Sequence, residues 1–401
     1  LPPGPHPRIM PFGEVRSSPS RGTPWPKTMP DDVQHLRLTE PPLPNPALPE
    51  RPAQLHGRFP VSPAPAYAAL DLGTNNCRLL IGSPTASGFR VVDSFSRIVR
   101  LGEGLASTGE LAEPAMDRAV AALAACADKL SRRPIRQFQA VATEACRRAG
   151  NGAAFLARVE AETGLRPRII SAREEAELAM ESCAPLLEET DRRALLFDIG
   201  GGSTEIAWIR VPPRGSRPAG APTAELIGYI SLPLGVVTLA ERAGASCFTE
   251  EGFHAVVEEV ATHLLAFDRV HCIGQEIRAG GVRLIGTSGT VTTLAGVALA
   301  LPRYRRPLVD GRTLDMGMAD QALGDLFALG RAGLAAHPCV GPDRVDFVLP
   351  GCAVYAAIRH VWPLPALTVA DRGLREGMLL RMMRADRWPG ARAATSRRAV
   401  T

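Results

Sequence analysis

The chain has 401 residues, 45% hydrophobic and 22% charged, which is the balance of a soluble globular protein of two domains and excludes wholesale disorder. Its net charge of +5 sits at the ends: residues 1–65 carry seven Lys/Arg against five Asp/Glu, residues 384–401 five Arg against one Asp, and the part between is −1, so no folded nucleic-acid-binding face is implied. No run approaches the ~18 apolar residues of a membrane span, and no charged segment followed by an apolar stretch opens the chain, so neither a membrane nor a secreted protein is expected.

Residues 1–65 hold 18 of the 36 prolines and few hydrophobic clusters, and read as a disordered tail or as upstream sequence from a misassigned start. The folded body begins with a buried strand over 66–72, a tight turn at Gly73-Thr74-Asn75-Asn76 and a returning strand over 77–82. A β-rich stretch covers 89–99, a helix 113–130, a strand 137–142, a helix 153–163 and a short strand 167–170. Ser171 opens a helix that runs to about 187. A strand at 195–199, a Gly-rich turn at 200–204 and a strand at 205–211 follow, then a Pro/Gly loop at 214–223. Helices are expected at 252–267, 288–301, 318–329, 344–359 and 372–384, with strands at 282–286 and 367–369. Residues from 386 read as a basic tail. The alternation is that of an α/β protein.

One repeat stands out. Strand–Asp–x–Gly–turn–strand occurs at Asp71-Leu72-Gly73 and again at Asp198-Ile199-Gly200, 127 positions later. Two copies one domain apart suggest a duplication in which each copy presents its turn to a shared cleft. In the second copy, Gly200-Gly201-Gly202-Ser203-Thr204 leaves backbone N–H groups unobstructed to converge on an anion, with two hydroxyls as further donors. Asp198 at the strand end suits a hydrated divalent cation. A plain hairpin needs only two turn residues, so three glycines flanked by acids exceed what folding asks. A third loop, Gly286-Thr287-Ser288-Gly289-Thr290, lies between a strand and a helix, where an anion site and an ordinary helix start look alike.

Ser171 and Glu174 form S-x-x-E, a capping box that gives Glu174 a structural task. Glu175 has no such task. It is either a proton acceptor for an attacking water or a solvated first-turn acid. Arg147 and Arg148 are a phosphate clamp or an exposed pair. All cationic residues except Lys27 and Lys129 are Arg, which a GC-rich genome accounts for without invoking phosphate recognition throughout. The eight cysteines form no C-x-x-C and the histidines do not cluster, so zinc ribbons, disulfide scaffolds and His-ligated metal sites are not supported, and free thiols in a reducing cytoplasm are expected. P-loop and nucleophile-elbow patterns are absent from the sequence.

The motifs run in order: Leu70-Asp71-Leu72-Gly73-Thr74-Asn75-Asn76, Leu101-Gly102-Glu103-Gly104-Leu105, Thr143-Glu144-Ala145-Cys146-Arg147-Arg148, Glu174-Glu175-Ala176, Asp198 to Glu205, Ser231-Leu232-Pro233-Leu234-Gly235, the third loop, and Arg372-Gly373-Leu374-Arg375-Glu376-Gly377. With them the chain resembles the exopolyphosphatase / guanosine pentaphosphate phosphohydrolase (Ppx/GppA) family of the actin–sugar kinase–Hsp70 superfamily, of the short, two-domain type. The resemblance implies two ribonuclease H-like (actin-like ATPase) lobes, 66–189 and 190–385, around an interdomain cleft, with the last helix packed back on the first lobe. It implies Glu175 as catalytic base, Arg147 as a phosphate-contacting arginine, and Asp198, Glu205 and Asp71 as acids that organise Mg²⁺ and water. Gly73, Thr74, Asn75, Asn76, Gly200, Gly201, Gly202, Ser203, Thr204, Thr287, Ser288, Gly289 and Thr290 become the phosphate cradle, and Arg344 a further basic position. Glu177 and the Thr74-Asn75-Asn76 turn depart from the pattern of many relatives and bear on substrate preference. The implied reaction is Mg²⁺-dependent release of orthophosphate from inorganic polyphosphate by a cytoplasmic bacterial homodimer, with guanosine pentaphosphate hydrolysis as the rival. A non-catalytic polyphosphate- or nucleotide-binding regulator is the third reading.

Overall fold

The computed structural model describes residues 65–86, 88–213 and 224–386. The Pro-rich tail, the 214–223 loop and the chain from 387 onward lie outside the described residues. The first sheet is built from β1 (Ala66–Leu72), β2 (Asn76–Thr85), β3 (Gly88–Ile98), β4 (Ile135–Ala142) and β5 (Arg168–Ile169). Its order is β3-β2-β1-β4-β5, an antiparallel meander extended by two parallel strands. Helices α1 (Leu105–Thr108), α2 (Glu113–Ser131), α3 (Glu144–Arg148) and α4 (Gly152–Thr163) come before β5, and α5 (Ala172–Cys183) follows it.

The second sheet comprises β6 (Arg193–Ile199), β7 (Thr204–Arg210), β8 (Glu225–Leu232), β9 (Val282–Thr287), β10 (Thr313–Asp315) and β11 (Ala366–Ala370). Its order is β10-β11-β9-β6-β7-β8. Here too an antiparallel meander, β6-β7-β8, is extended by parallel strands, β9 and β11. Each sheet therefore has the ribonuclease H-like arrangement that the family resemblance implies, and the two repeat the order as the duplicated motif suggests. Helices α6 (Val236–Ala243), α7 (Glu250–His271), α8 (Ile273–Arg278), α9 (Ser288–Ala298), α10 (Arg306–Val309), α11 (Met316–Ala328), α12 (Gly330–Ala336), α13 (Val345–Val361) and α14 (Leu374–Ala385) complete the chain. The described residues belong to one compact unit, and no helix among them is long and apolar enough to cross a membrane.

Two cores form because apolar residues alternate along the meanders and recur at helical spacing on the covering helices. Leu70, Leu72, Leu79 and Ile81 meet Met116, Leu123 and Phe155 in one. Phe197, Ile206, Trp208 and Leu284 meet α7, α9 and α13 in the other. Two helices tie the lobes together. Helix α5 buries Ala176, Ala179, Met180 and Cys183 against Ala194, Leu196, Ala207 and Ile285 of the second sheet. Helix α14 is last in the chain, yet its Met378, Leu379, Met382 and Met383 pack on Tyr67, Ala69, Leu80 and Val141 of the first sheet.

Several sequence readings need correction. The helix opened by Ser171 stops at Cys183 and passes into a 3-10 turn, Ala184–Leu186, where Pro185 removes a donor. The final helix starts at Leu374, because Arg372 and Gly373 form the turn out of β11. Asp386, placed in the tail, is anchored: it accepts from Tyr67 Oη at 2.7 Å and Gln137 Nε2 at 2.6 Å. Strands β8 and β10 and the short helices α1, α3, α6, α8, α10 and α12 were not anticipated.

Candidate active site

The two duplicated turns face each other. In the first, Gly73 N donates to Asn76 O at 2.9 Å; in the second, Gly200 N donates to Ser203 O at the same distance. A downstream segment then takes each turn's carbonyls. Gly102 N donates to Thr74 O, and both Val99 N and Arg100 N to Asn75 O; Val236 N donates to Gly200 O and Val237 N to Gly201 O. With the carbonyls tied from behind, the N–H groups of Thr74, Asn75, Gly201, Gly202 and Ser203 meet no backbone acceptor among the described residues, which leaves both turns able to donate to an anion. Two glycines behind the turns permit this close approach. A Cβ on Gly102 would stand 2.3 Å from Thr74 Cγ2, and one on Gly235 2.3 Å from Gly201 O. The turns also touch, since a Cβ on Gly201 would lie 3.2 Å from Asn75 N and one on Gly202 2.6 Å from Thr74 Oγ1.

The hydroxyls behave differently from the sequence reading. Ser203 Oγ donates to Glu205 Oε1 at 2.6 Å. Thr204 opens β7, is fully buried, and donates to Leu234 O, so it faces the fold and not the cradle. Thr287 Oγ1 donates to Arg372 O, and Thr290 is buried against Gly351 of α13. What the third loop offers is the start of α9. There Ser288 adopts φ 84°, a left-handed conformation rare outside glycine, and its Oγ is buried with no hydrogen-bond partner. Asn75 Oδ1 is likewise buried and unpartnered.

Four carboxylates gather around these loops. Asp71 is the penultimate residue of β1 and Asp198 of β6, and their cross-strand partners are Arg78 and Glu205. Burial pushes Asp198 up to about 6, with Arg78 opposing and Asp71 adding to the rise. Burial pushes Glu205 up to about 7, with Asp198 adding to it. Hydrogen bonds from Ser203 and from Ser231, at 2.8 Å, oppose that rise. Asp71 is raised by burial against Arg78 and Arg375. Glu175, 7% exposed in the first turn of α5, is raised well above the usual carboxylate range by burial and then by Glu205. A solvated first-turn acid would show neither feature.

Arg147 is half-buried among its partners: Nη1 donates to Glu175 Oε2 at 2.9 Å and to Ile170 O at 2.8 Å, and Nη2 donates to Glu144 Oε2. Arg148 is half-exposed, with Nε 3.7 Å from Glu144 Oε1. The capping box at Ser171 is half made. Ser171 Oγ accepts from Glu174 N, but the Glu174 carboxylate pairs with Arg168 instead of reaching back. Arg344 donates to Gly289 O and Thr293 Oγ1, both at 2.7 Å, behind the third loop.

Sequence reasoning missed Arg78, Glu144 and Ser231 as site residues. The repeat offset carries Arg78 onto Glu205, helical i,i+3 spacing pairs Glu144 with Arg147, and Ser231 is the register partner of Glu205 in the unanticipated β8. For a metal, no three His, Cys, Asp or Glu among the described residues stand close enough to cage an ion directly. Mg²⁺ keeps most of its waters and takes one or two carboxylates. Asp198 and Asp71, whose charge adds to the rise of Asp198, have the donor chemistry for that hydrated ion.

Residues 80–386 match the sequence profile of the Ppx/GppA phosphatase family. Among solved structures, a Ppx/GppA family member from Aquifex aeolicus is 25% identical with TM-score 0.66, over 80% of this chain and 98% of that one. An exopolyphosphatase-like protein is 29% identical with TM-score 0.69 over the same shares. An exopolyphosphatase from Cytophaga hutchinsonii shares the fold at 22% identity and TM-score 0.69, over 80% of this chain and 98% of its own.

Proposed function

The chain belongs to the Ppx/GppA phosphatase family, and on that premise we propose that it hydrolyses a terminal phosphoanhydride, with inorganic polyphosphate as substrate and Mg²⁺ as cofactor. One juxtaposition supports the reading: two backbone nests face each other beside a buried, proton-hungry Glu175. Phosphoryl transfer asks mainly for positioning and charge neutralisation. The free N–H groups of Thr74, Asn75 and Gly201–Ser203, with those at the start of α9, bind the non-bridging oxygens of the terminal phosphate. Glu175 accepts a proton from water as the water oxygen bonds to phosphorus. The bridging P–O bond breaks, and its electron pair leaves on the shortened chain. Glu205, fixed by Ser203 and Ser231, keeps a negative or protonated carboxyl beside that water according to pH. Asp71 and Asp198 would hold the hydrated Mg²⁺, which when bound offsets the charge of the phosphates.

The test is phosphate release from long-chain polyphosphate and from guanosine pentaphosphate, side by side with Mg²⁺, for the wild type and Glu175→Gln. Turnover of polyphosphate with loss of about 10²–10⁴-fold in the variant upholds both substrate and base. Cleavage of guanosine pentaphosphate alone moves the substrate. Binding of either without turnover by folded wild type replaces the enzyme reading with that of a regulator.

A further inference from the structure

Glu144 is 8% exposed, and each of its oxygens has a basic partner: Oε2 accepts from Arg147 Nη2, and Oε1 lies 3.7 Å from Arg148 Nε. Its effect falls on Arg147. Both hydrogens of Nη1 are committed, one to Ile170 O and one to Glu175 Oε2. The bond from Nη2 to Glu144 closes the far side of the planar fork, so the guanidinium cannot turn about its stem without breaking a bond to a buried carboxylate. Glu175 is thereby held by Oε2, while its Oε1 has no protein partner among the described residues and is not among the buried unpartnered atoms. One oxygen is anchored and the other is left to the cleft. The charges facing Glu175 are Arg147 from α3, Glu205 from β7 and Asp71 from β1.

We propose that Glu144 is a positioning residue for hydrolysis: by pinning Arg147 it fixes the Glu175 carboxylate so that Oε1 meets the attacking water. The inference rests on Glu175 being the base. Nothing in it requires Glu144 to touch substrate, although its Cγ lies 3.2 Å from where a Cβ on Gly202 would stand, at the edge of the second nest.

A double-variant cycle tests it, with kcat measured on whichever of the two substrates the wild type turns over. Glu144→Ala releases Arg147 and lowers kcat on the order of 10- to 100-fold, the scale of a displaced catalytic group. Glu144→Gln still presents an amide oxygen to Nη2 and recovers most of that loss. Because Glu144 works through Arg147, the Glu144→Ala/Arg147→Ala double variant is no slower than Arg147→Ala alone. Losses that multiply in the double variant, or a Gln variant as slow as Ala, overturn the proposal. Thermal midpoints confirm that each variant is folded, and the cycle is run with Glu144→Met, which keeps the volume but offers Nη2 no oxygen, should the Ala variant fail to fold. Glu175→Gln in the same assay separates the two ideas: if it keeps wild-type turnover the base reading falls, whatever coupling the cycle finds between Glu144 and Arg147.

Discussion

Replacing Asp198 by Asn should make the protein more stable and less active at the same time. Burial raises Asp198 from 3.8 to about 6. Above both values the folded state carries a charge it would rather not, and the unfolded state carries it freely. At pH 8 the penalty is about two pK units, or about 3 kcal/mol. The sign follows from the raised folded value: stability is fully present below pH 3.8 and is lost as pH rises through about 6. At pH 5 the unfolded carboxyl is already ionised while the folded one is mostly neutral, so roughly half of the penalty is in force. Asn removes the charge at nearly the same volume. Thermal denaturation of wild type and variant at pH 8 should therefore differ by on the order of 4 °C in favour of Asn for a folded body of this size, and by about half as much at pH 5. An Asn variant that is no more stable at pH 8 would refute the reasoning. So would a gain of equal size at both pH values, since that would come from packing and not from charge.

Three further outcomes follow from the same geometry. Gly235→Ala places a Cβ 2.3 Å from Gly201 O and 2.5 Å from Ser203 N, so the second nest must shift and kcat should fall about 100-fold with the fold retained, checked by phosphate release and circular dichroism. Glu241→Ala removes the acceptor of Gly104 N, a 3.0 Å bond that joins the first lobe to α6 of the second. With this link between the lobes gone, KM should rise roughly fivefold with kcat little changed, as befits about 1 kcal/mol from one exposed hydrogen bond. Titrating Mg²⁺ at pH 8 should raise the thermal midpoint of the wild type more than that of Asp198→Asn, because the cation relieves the charge that Asn has already removed; equal shifts would place the ion elsewhere.

The hairpins that carry the site were legible because their chemistry is local. Two aspartates at strand ends, each followed by glycine and small polar residues, announce a turn whatever surrounds them. Glu175 was singled out for lacking a capping task, and its burial supplies what sequence could not: the Glu205 charge comes from a strand of the other lobe. Strand β8 was missed because Glu225–Leu232 lies at the sheet edge and is half-buried on both faces, so it lacks the alternation that marks a strand. Thr204 was misread for the opposite reason. A hydroxyl next to a Gly-rich turn looks like a phosphate donor, but the pleat turns it inward to Leu234 O, a partner 30 residues away. The Arg147–Glu144 pair was readable as i,i+3 spacing. That the same arginine also reaches α5 depends on how β4 and β5 align, through Ile170 O.

The duplication explains why the cradle is symmetric and the chemistry is not. Positions 73 and 76 correspond to 200 and 203 at the repeat spacing, and they make the same turn-closing hydrogen bond at 2.9 Å. Asp71 and Asp198 also correspond, each one residue before the end of its sheet's first strand. One matched pair reverses charge, because Arg78 in the first copy stands where Glu205 stands in the second. An Arg in both copies would neutralise both aspartates and leave no anionic wall to hold a cation. A Glu in both would crowd five acids, with Glu175, around a substrate that is itself a polyanion. With one of each, Arg78 opposes the rise of Asp71 and Asp198, while Glu205 raises Glu175. Under the proposed function the repeated backbone offers phosphate its donors from both sides, and the Arg78/Glu205 pair gives the site a direction, basic toward Arg78 and proton-accepting toward Glu175.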